Sequence, residues 1–392
     1  MDSTSFELTE QQEKIKAKAH EFGKKWAPFI TEWDKMNKSP LLEMIRVAGE
    51  FELLGLTIPK EYGGQDLSVI EYVIAIEEIC RATGSWLPAE TIFRTSAAGP
   101  SIIMASENKD VKDKFLPSIV AGKKTCAIAL TEPRFGSALT DLETSAVLDG
   151  DHYIINGSKR FITGALEDDL YATFVRFKNI PGAKGIGAVI VEKGAPGLTI
   201  EEGPEVMGAR GCPHGDMFFE DCIAPKENFI IGEGKFSKLM TAFNMERMHN
   251  ASVSAGLALG AFDAAIQHAR SRKQFGRHIW EFQSIYHMIA DMWVKIEAAR
   301  YLNYVAAANA VDGKYPKARE VSVAKLHANE VALNVCWAAV QILGGDGVTI
   351  RFPPERCLRD VMVASMGGGT AQILKNVIAS QVLGERLDQH RQ

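Results

Sequence analysis

The 392-residue chain has little of what marks several large functional classes. No block of Lys or Arg is long enough to track nucleic acid or an anionic membrane, and a net charge of -5 gives no basic footprint. The longest weakly polar runs, Ala251 to Phe262 and Val331 to Gly345, fall short of the ~20 apolar residues of a membrane span. Six cysteines (Cys80, Cys126, Cys212, Cys222, Cys336, Cys357) show neither CxxC nor metal-ligand spacing, which predicts reduced, mostly buried thiols of a cytoplasmic protein and no metal site. The first residues, Met1-Asp-Ser-Thr-Ser-Phe-Glu, are polar and acidic, unlike a secretory signal or a transit peptide. No GxGxxG follows a strand pattern, so the dinucleotide fingerprint of doubly wound folds is missing.

What remains is a soluble globular composition, 46% hydrophobic and 24% charged, on a chain long enough for two or three domains sharing a core. Thr9-Glu-Gln-Gln12 reads as a capping box, followed by Ile15, Ala19, Phe22 and Trp26 at helical spacing. Ser39-Pro40 predicts an N-cap and first turn for a helix ending near Gly55, with Ile58 to Gly64 as a loop. Helices follow over Val69 to Thr83, Glu90 to Ser106, and a short stretch reaching Leu116. From Thr125 the texture changes to short β-type runs: Thr125 to Leu130, Ser145 to Leu148, Tyr153 to Asn156, Tyr171 to Val175, Ile186 to Val191 and Met217 to Phe219. Asp149-Gly-Asp and Asn156-Gly read as turns between them. That spacing predicts a small antiparallel barrel or sandwich. Long helices return over Ser237 to Arg272, Glu281 to Asp312, Pro316 to Leu343 and Gly369 to Leu383. The expected fold is therefore α+β: a helical domain (1–124), a β-barrel domain (125–236) and a helical bundle (237–392).

Three stretches look like cofactor contacts. Thr131-Glu-Pro-Arg-Phe-Gly-Ser137 ends a strand in a turn of N–H and hydroxyl groups. Arg272-Lys-Gln-Phe-Gly276 follows a helix with a fork-shaped cation suited to a diphosphate. Gln341-Ile-Leu-Gly344-Gly345 ends another helix in small residues. With Gly55 to Gly64, Leu130-Thr-Glu-Pro133, Tyr153 to Lys159, Phe161-Ile-Thr163, Phe219 to Pro225, Gln283 and Arg359-Asp360, in this order, the whole chain resembles the acyl-CoA dehydrogenase family of flavoenzymes. The resemblance implies FAD as cofactor, an acyl-CoA substrate, a homotetramer with a four-helix C-terminal domain, and electron transfer to a separate electron-transfer flavoprotein. Carried over by position, Ile128, Leu130, Thr131, Phe161 and Thr163 line the flavin, Phe161 replacing the family's usual tryptophan. Arg272, Phe275, Gln283, Gln341, Gly344 and Gly345 hold its diphosphate and adenine side, partly from a neighbouring subunit, and Thr370 and Gln372 close the same site. Ser137 and Arg247 match positions that meet the CoA chain.

The implied reaction needs a carboxylate to remove the α-proton of a thioester while hydride leaves the β-carbon. Most members carry that base in a Tyr-Glu-Gly-Thr turn; here Gly367-Gly368-Gly369-Thr370 stands in its place and Gly368 offers no side chain. A subgroup that includes the isovaleryl-specific enzymes carries the base on the helix opening the C-terminal domain, and Glu246 in Phe-Asn-Met-Glu-Arg matches it. The emptied turn at Gly368 suggests a branched or ring-bearing acyl group. Arg247 lies about 100° round the helix from Glu246 and is not its ion-pair partner; His249 reads as packing. Arg94 falls on a helix that walls the acyl pocket in relatives and reads either as a receptor for a distal substrate carboxylate or as a subunit-surface arginine. Arg134-Phe135 replaces the family's Gly-Ala, altering the CoA path or only a surface loop. An enoyl-CoA reductase, a decarboxylating dicarboxyl-CoA enzyme of the same family, and a flavin-binding homologue without turnover are the alternatives.

Overall fold

The computed structural model describes residues 7–385 and 387; the polar leader 1–6 read above lies outside the described residues. The capping box forms as expected: Thr9 N–H donates to Gln12 Oε1 (3.0 Å) and Gln12 N–H to Thr9 Oγ1 (3.2 Å). It opens α1 (Glu10–Trp26), whose Ile15, Ala19, Phe22 and Trp26 are buried. α2 (Ile30–Met36) and α3 (Leu41–Glu50) follow. Ser39 does not cap α3. Its hydroxyl donates instead to Gly211 O (2.7 Å), so an acceptor from the β domain outcompetes the local cap. α4 (Val69–Thr83) has the expected bounds. The single helix expected over 90–106 divides into α5 (Ala89–Ser96) and α6 (Gly99–Met104), with Pro100 in the first turn of the second. α7 (Lys109–Val120) runs on beyond Leu116 through Pro117.

The middle region holds β1 (Cys126–Ala129), β2 (Ser145–Asp149), β3 (His152–Thr163), β4 (Leu170–Phe177), β5 (Ile186–Glu192), β6 (Leu198–Glu202), β7 (His214–Pro225) and β8 (Phe229–Ile231). Seven of them form the path β6-β7-β3-β2-β4-β5-β8, with β1 pairing β4 off this path. Two departures from the sequence reading appear. β1 and β2 each pair with β4 in parallel, so the sheet is mixed rather than purely antiparallel. Asn156-Gly157 is not a turn but the register shift of one continuous strand against β7, fixed by paired bonds between Asn156 and Asp221 (2.8 and 3.0 Å).

α8 (Phe236–Ser271), a two-stranded ribbon of β9 (Lys273–Gln274) and β10 (Arg277–His278), α9 (Gln283–Ala308), α10 (Ala318–Leu343), α11 (Pro353–Ala364) and α12 (Ala371–Leu383) complete the chain. α11 lies in a stretch for which no helix was expected; Pro353 and Pro354 occupy its first turn, where no N–H is needed. α8 runs through the centre, packed on α4, α9, α10 and α11. Its approach to α4 depends on Gly256, where a Cβ would fall 2.4 Å from Glu77 O. The segment from α10 to Val348 is apolar and long enough to cross a membrane by length and composition, but half of that window is buried within the bundle. Tyr286, Trp293, Val294, Tyr301 and Val305 on α9 and Trp337 on α10 are exposed large apolar side chains.

Candidate active site

A cavity of about 600 Å³ lies where α5, the β domain, α8 and the turn before α12 converge. Its β wall carries Ile128, Leu130, Thr131, Ser137, Phe161 and Thr163, and its helical wall Arg94, Glu246, Arg247, Gly368 and Thr370. The candidate residues Arg272, Phe275, Gln283, Gln341, Gly344, Gly345 and Gln372 do not line it; all are solvent-exposed on this chain. Phe161 and Phe275 share an unusual state. Both have left-handed backbone (φ 58° and 52°), and the residues are 48% and 92% exposed. Backbone strain of this kind is kept where the surroundings use it.

Glu246 lies near the start of α8, where the neighbouring apolar side chains are turned into the core. Asn250, one turn on, donates from Nδ2 to both Glu246 O (2.9 Å) and Oε1 (3.0 Å). Burial raises the Glu246 pKa; nearby Glu90 adds to the rise, while His249, Asn250 and Lys325 oppose it. All three carbonyls of the turn 367–369 are held, and Gly367 N–H donates back to Val363 O (3.2 Å). Lys325 Nζ donates to Gly367 O (2.5 Å) and Gly369 O (2.6 Å), and Arg247 Nε to Gly368 O (3.2 Å). Arg247 is braced in turn by Asn244 Oδ1 (2.8 Å), whose amide donates to Pro316 O (2.9 Å). Lys325 is buried and its pKa falls to about 7, Glu246 opposing the effect of burial. Gly368 has φ 67°, and a Cβ there would lie 3.4 Å from Glu246 Cγ and 3.3 Å from Asn250 Nδ2. A side chain at 368 and that of Glu246 would therefore occupy the same volume.

Beneath the β wall, Glu132 organises the turn 131–137. It accepts from Glu143 N–H (2.7 Å), Thr144 N–H (2.9 Å) and Lys159 Nζ (2.8 Å), and Lys159 also donates to Leu130 O (3.1 Å). Burial works to raise the Glu132 pKa, but Lys159 and the N–H donors outweigh it and hold the carboxyl below its ordinary value. Arg134, in the same turn, is exposed and paired with Glu143 (3.2 Å).

Arg94 is not a surface residue. It is 2% exposed and donates to Asp168 Oδ1 (2.6 Å) and Cys212 Sγ, with Glu167 at 3.9 Å and Glu90 Oε2 at 4.0 Å. Asp168, buried, has its pKa pushed up to about 6 by burial, with Arg94 opposing. His249 is buried as packing predicts, stacked on Phe93 (ring centroids 4.2 Å) between Tyr72 Oη (2.8 Å) and Glu90 Oε1 (3.3 Å). Lys325, Asn250, Glu90 and His214 belong to this site and escaped the sequence reading. Only the carbonyl-rich glycine turn hinted at Lys325, since three buried carbonyls call for buried donors.

The chain matches three family models in succession: "Acyl-CoA dehydrogenase, N-terminal domain" over residues 9–123, "middle domain" over 127–222 and "C-terminal domain" over 234–383. It is 38% identical over 382 residues to "Acyl-CoA dehydrogenase, short-chain specific" of Clostridium acetobutylicum, covering 96% of this chain and 99% of that one. It is 36% identical to "Caffeyl-CoA reductase-Etf complex subunit CarC" of Acetobacterium woodii over 96% of this chain and 99% of that one. The solved structure of butyryl-CoA dehydrogenase from Megasphaera elsdenii superposes with a TM-score of 0.92 at 33% identity, covering 97% of this chain and all of that one. These relatives are short-chain and reductase types rather than isovaleryl-specific ones.

Proposed function

The chain belongs to the acyl-CoA dehydrogenase family, an oxidoreductase fold, and from that premise we propose that it dehydrogenates an acyl-CoA thioester with Glu246 as the base. The observation that carries this reading is the coincidence of volumes: a side chain on Gly368 would touch the side chain of Glu246. A carboxylate on α8 thus reaches the space that a turn carboxylate reaches in most of the family. Burial raises Glu246's affinity for the proton it must accept, and the Asn250 amide fixes one oxygen while the carboxyl faces the cavity. Lys325 and Arg247 keep the turn back by its carbonyls. Ser137 and Arg247 lie on the cavity wall, which supports their contact with the CoA chain.

FAD fits the cavity: Ile128, Leu130, Thr131, Phe161, Thr163 and Thr370 would hold its ring, and the strained, exposed Phe161 is a side chain waiting for a planar partner. When bound, FAD supplies the hydride acceptor. The diphosphate and adenine candidates, Arg272, Phe275, Gln283, Gln341, Gly344, Gly345 and Gln372, stand outside the cavity of a single chain, which supports completion of the site by another copy. The exposed aromatic row on α9 and Trp337 supply the apolar surface for a homotetramer. Six unpaired, buried thiols suit a reducing compartment such as the cytoplasm.

The glycine turn leaves room for a branched or ring-bearing acyl group. The dicarboxylic alternative loses support, because Arg94 already stands among the carboxyl groups of Asp168, Glu167 and Glu90. An enoyl-CoA reductase is the second reading, favoured by the caffeyl-CoA reductase relative, whose complex with Etf also supports an electron-transfer flavoprotein as partner. A homologue without turnover is hard to square with a carboxylate kept facing an open cavity. An anaerobic absorbance scan of the FAD-loaded protein with straight, branched, alicyclic, aromatic and dicarboxylic thioesters tests the reading. Bleaching by one neutral class is expected; bleaching by none, with reduced protein reoxidised by an enoyl thioester, would leave the reductase.

A further inference from the structure

Lys325 stands behind the glycine turn rather than in the cavity. It reaches the turn from α10, is fully buried, and donates to Gly367 O (2.5 Å) and Gly369 O (2.6 Å) and, among the described residues, to nothing else. Burying an ammonium without a carboxylate partner is costly, and a methionine of similar volume would avoid that cost. A run of three glycines has no side chains to fix its peptide planes and the widest choice of backbone conformation. In a planar trans peptide the N–H points opposite to the carbonyl that precedes it. With the carbonyls of Gly367 and Gly369 turned onto Lys325, the N–H groups of Gly368 and Thr370 point away from it, on the side where Gly368, Gly369 and Thr370 line the cavity. Neither N–H has an acceptor among the described residues.

We propose that Lys325 is a positioning residue of the acyl-CoA site: through the carbonyls of Gly367 and Gly369 it presents the Gly368 and Thr370 N–H groups to the thioester oxygen. The inference rests on the acyl-CoA reading of the cavity. Removing the α-proton moves negative charge onto that oxygen, and donors fixed beforehand lower the barrier because they need not turn at the moment of reaction. A cation bonded to the far end of each peptide also polarises it and strengthens the N–H as a donor. Arg247, on the cavity wall, holds the intervening Gly368 carbonyl, so the middle peptide is fixed as well. A lysine kept only for stability would satisfy the same carbonyls and leave the thioester oxygen unaffected.

The probe is a saturated acyl-CoA isotope-labelled at the thioester carbonyl, bound to FAD-loaded enzyme that has been reduced beforehand so that no turnover occurs. Infrared difference spectra should show the carbonyl stretch moved to lower frequency in the wild type. Lys325→Met should lose most of that shift while thioester affinity stays within about threefold. Bleaching of the oxidised enzyme at saturating thioester should slow about tenfold or more, an effect on kcat rather than KM. Lys325→Arg, which keeps a cation on α10, should recover part of both. Lys325→Gln, neutral but able to donate, stands in if the methionine variant fails to fold, and its shift should fall between those of wild type and Lys325→Met. A full carbonyl shift in folded Lys325→Met or Lys325→Gln would overturn the inference, the lysine then being structural only. A shifted carbonyl in the wild type without bleaching by any thioester would sink the dehydrogenase and keep the positioning role; bleaching with an unshifted carbonyl would do the reverse.

Discussion

Two turns line the cavity and are held by opposite charges. The turn 131–137 gathers round an anion, Glu132, which takes two backbone N–H groups and Lys159. The turn 367–369 gathers round two cations, Lys325 and Arg247, which take its three carbonyls. Beside the second turn, Glu246 has one side-chain partner, the Asn250 amide. Two glutamates, Glu246 on the cavity wall and Glu132 beneath it, thus end up on opposite sides of the ordinary carboxyl range: Glu132 is held down by its donors, and Glu246 is driven up by burial. The number of compensating donors, not the residue type, separates the two carboxyls, and on the proposed reading it is the poorly compensated one that serves as base.

Glu246→Gln is the sharpest way to break the comparison. Flavin bleaching by a reactive thioester should slow by about 10²- to 10⁴-fold, with thioester affinity and melting temperature little changed. Lys159→Met should do the opposite. Leaving Glu132 buried without its cation costs about 3–5 kcal/mol of stability, read by denaturant unfolding, while folded enzyme keeps its turnover. Slow bleaching from the second variant and instability from the first would invert the assignment.

Lys325→Met strips the donor from two buried carbonyls and should cost about 1–3 kcal/mol; the measurement is the same unfolding midpoint. A loss below that range would show that water replaces the lysine. The smallest effects concern pH, and they differ in sign between the two carboxyls. Glu246 holds its proton more tightly folded than unfolded, so its contribution to stability is present in acid and lost as pH rises through its raised pKa. Glu132 is depressed, so its contribution is present above the ordinary value of 4.5 and lost as pH falls through the lower folded value. Unfolding of Glu246→Gln and Glu132→Gln against wild type across acid pH should therefore give difference curves of opposite slope. Bleaching rates should fall on acidification from above pH 4.5, because the base works only when ionised.

Much of this was legible in the sequence because it depended on local rules. The capping box at Thr9, the α1 stripe, the bounds of α4 and the residues lining the β wall follow from periodicity or from ordered motifs. The readings that failed were settled by distant partners. Ser39 answers to Gly211 and Asn156 to Asp221, whereas the α5–α6 break is local, set by a proline that begins a helix rather than ending one. Arg94 shows the limit most clearly. Its spacing placed it on the right helix, but its role depends on Asp168 and Cys212, which are far along the chain and carry no local signature. Lys325 was invisible for the same reason, since a lysine within an apolar helix declares its burial but not its acceptors.

The contact between Gly368 and Glu246 also has a historical consequence. On the proposed reading, a chain carrying an acid at both positions would hold two carboxyl groups in contact and place two negative charges in one small space. The route from one arrangement to the other therefore passes through a crowded double acid or through a chain with none. On that reading an acid placed at Gly368 should be tolerated better once Glu246 has gone.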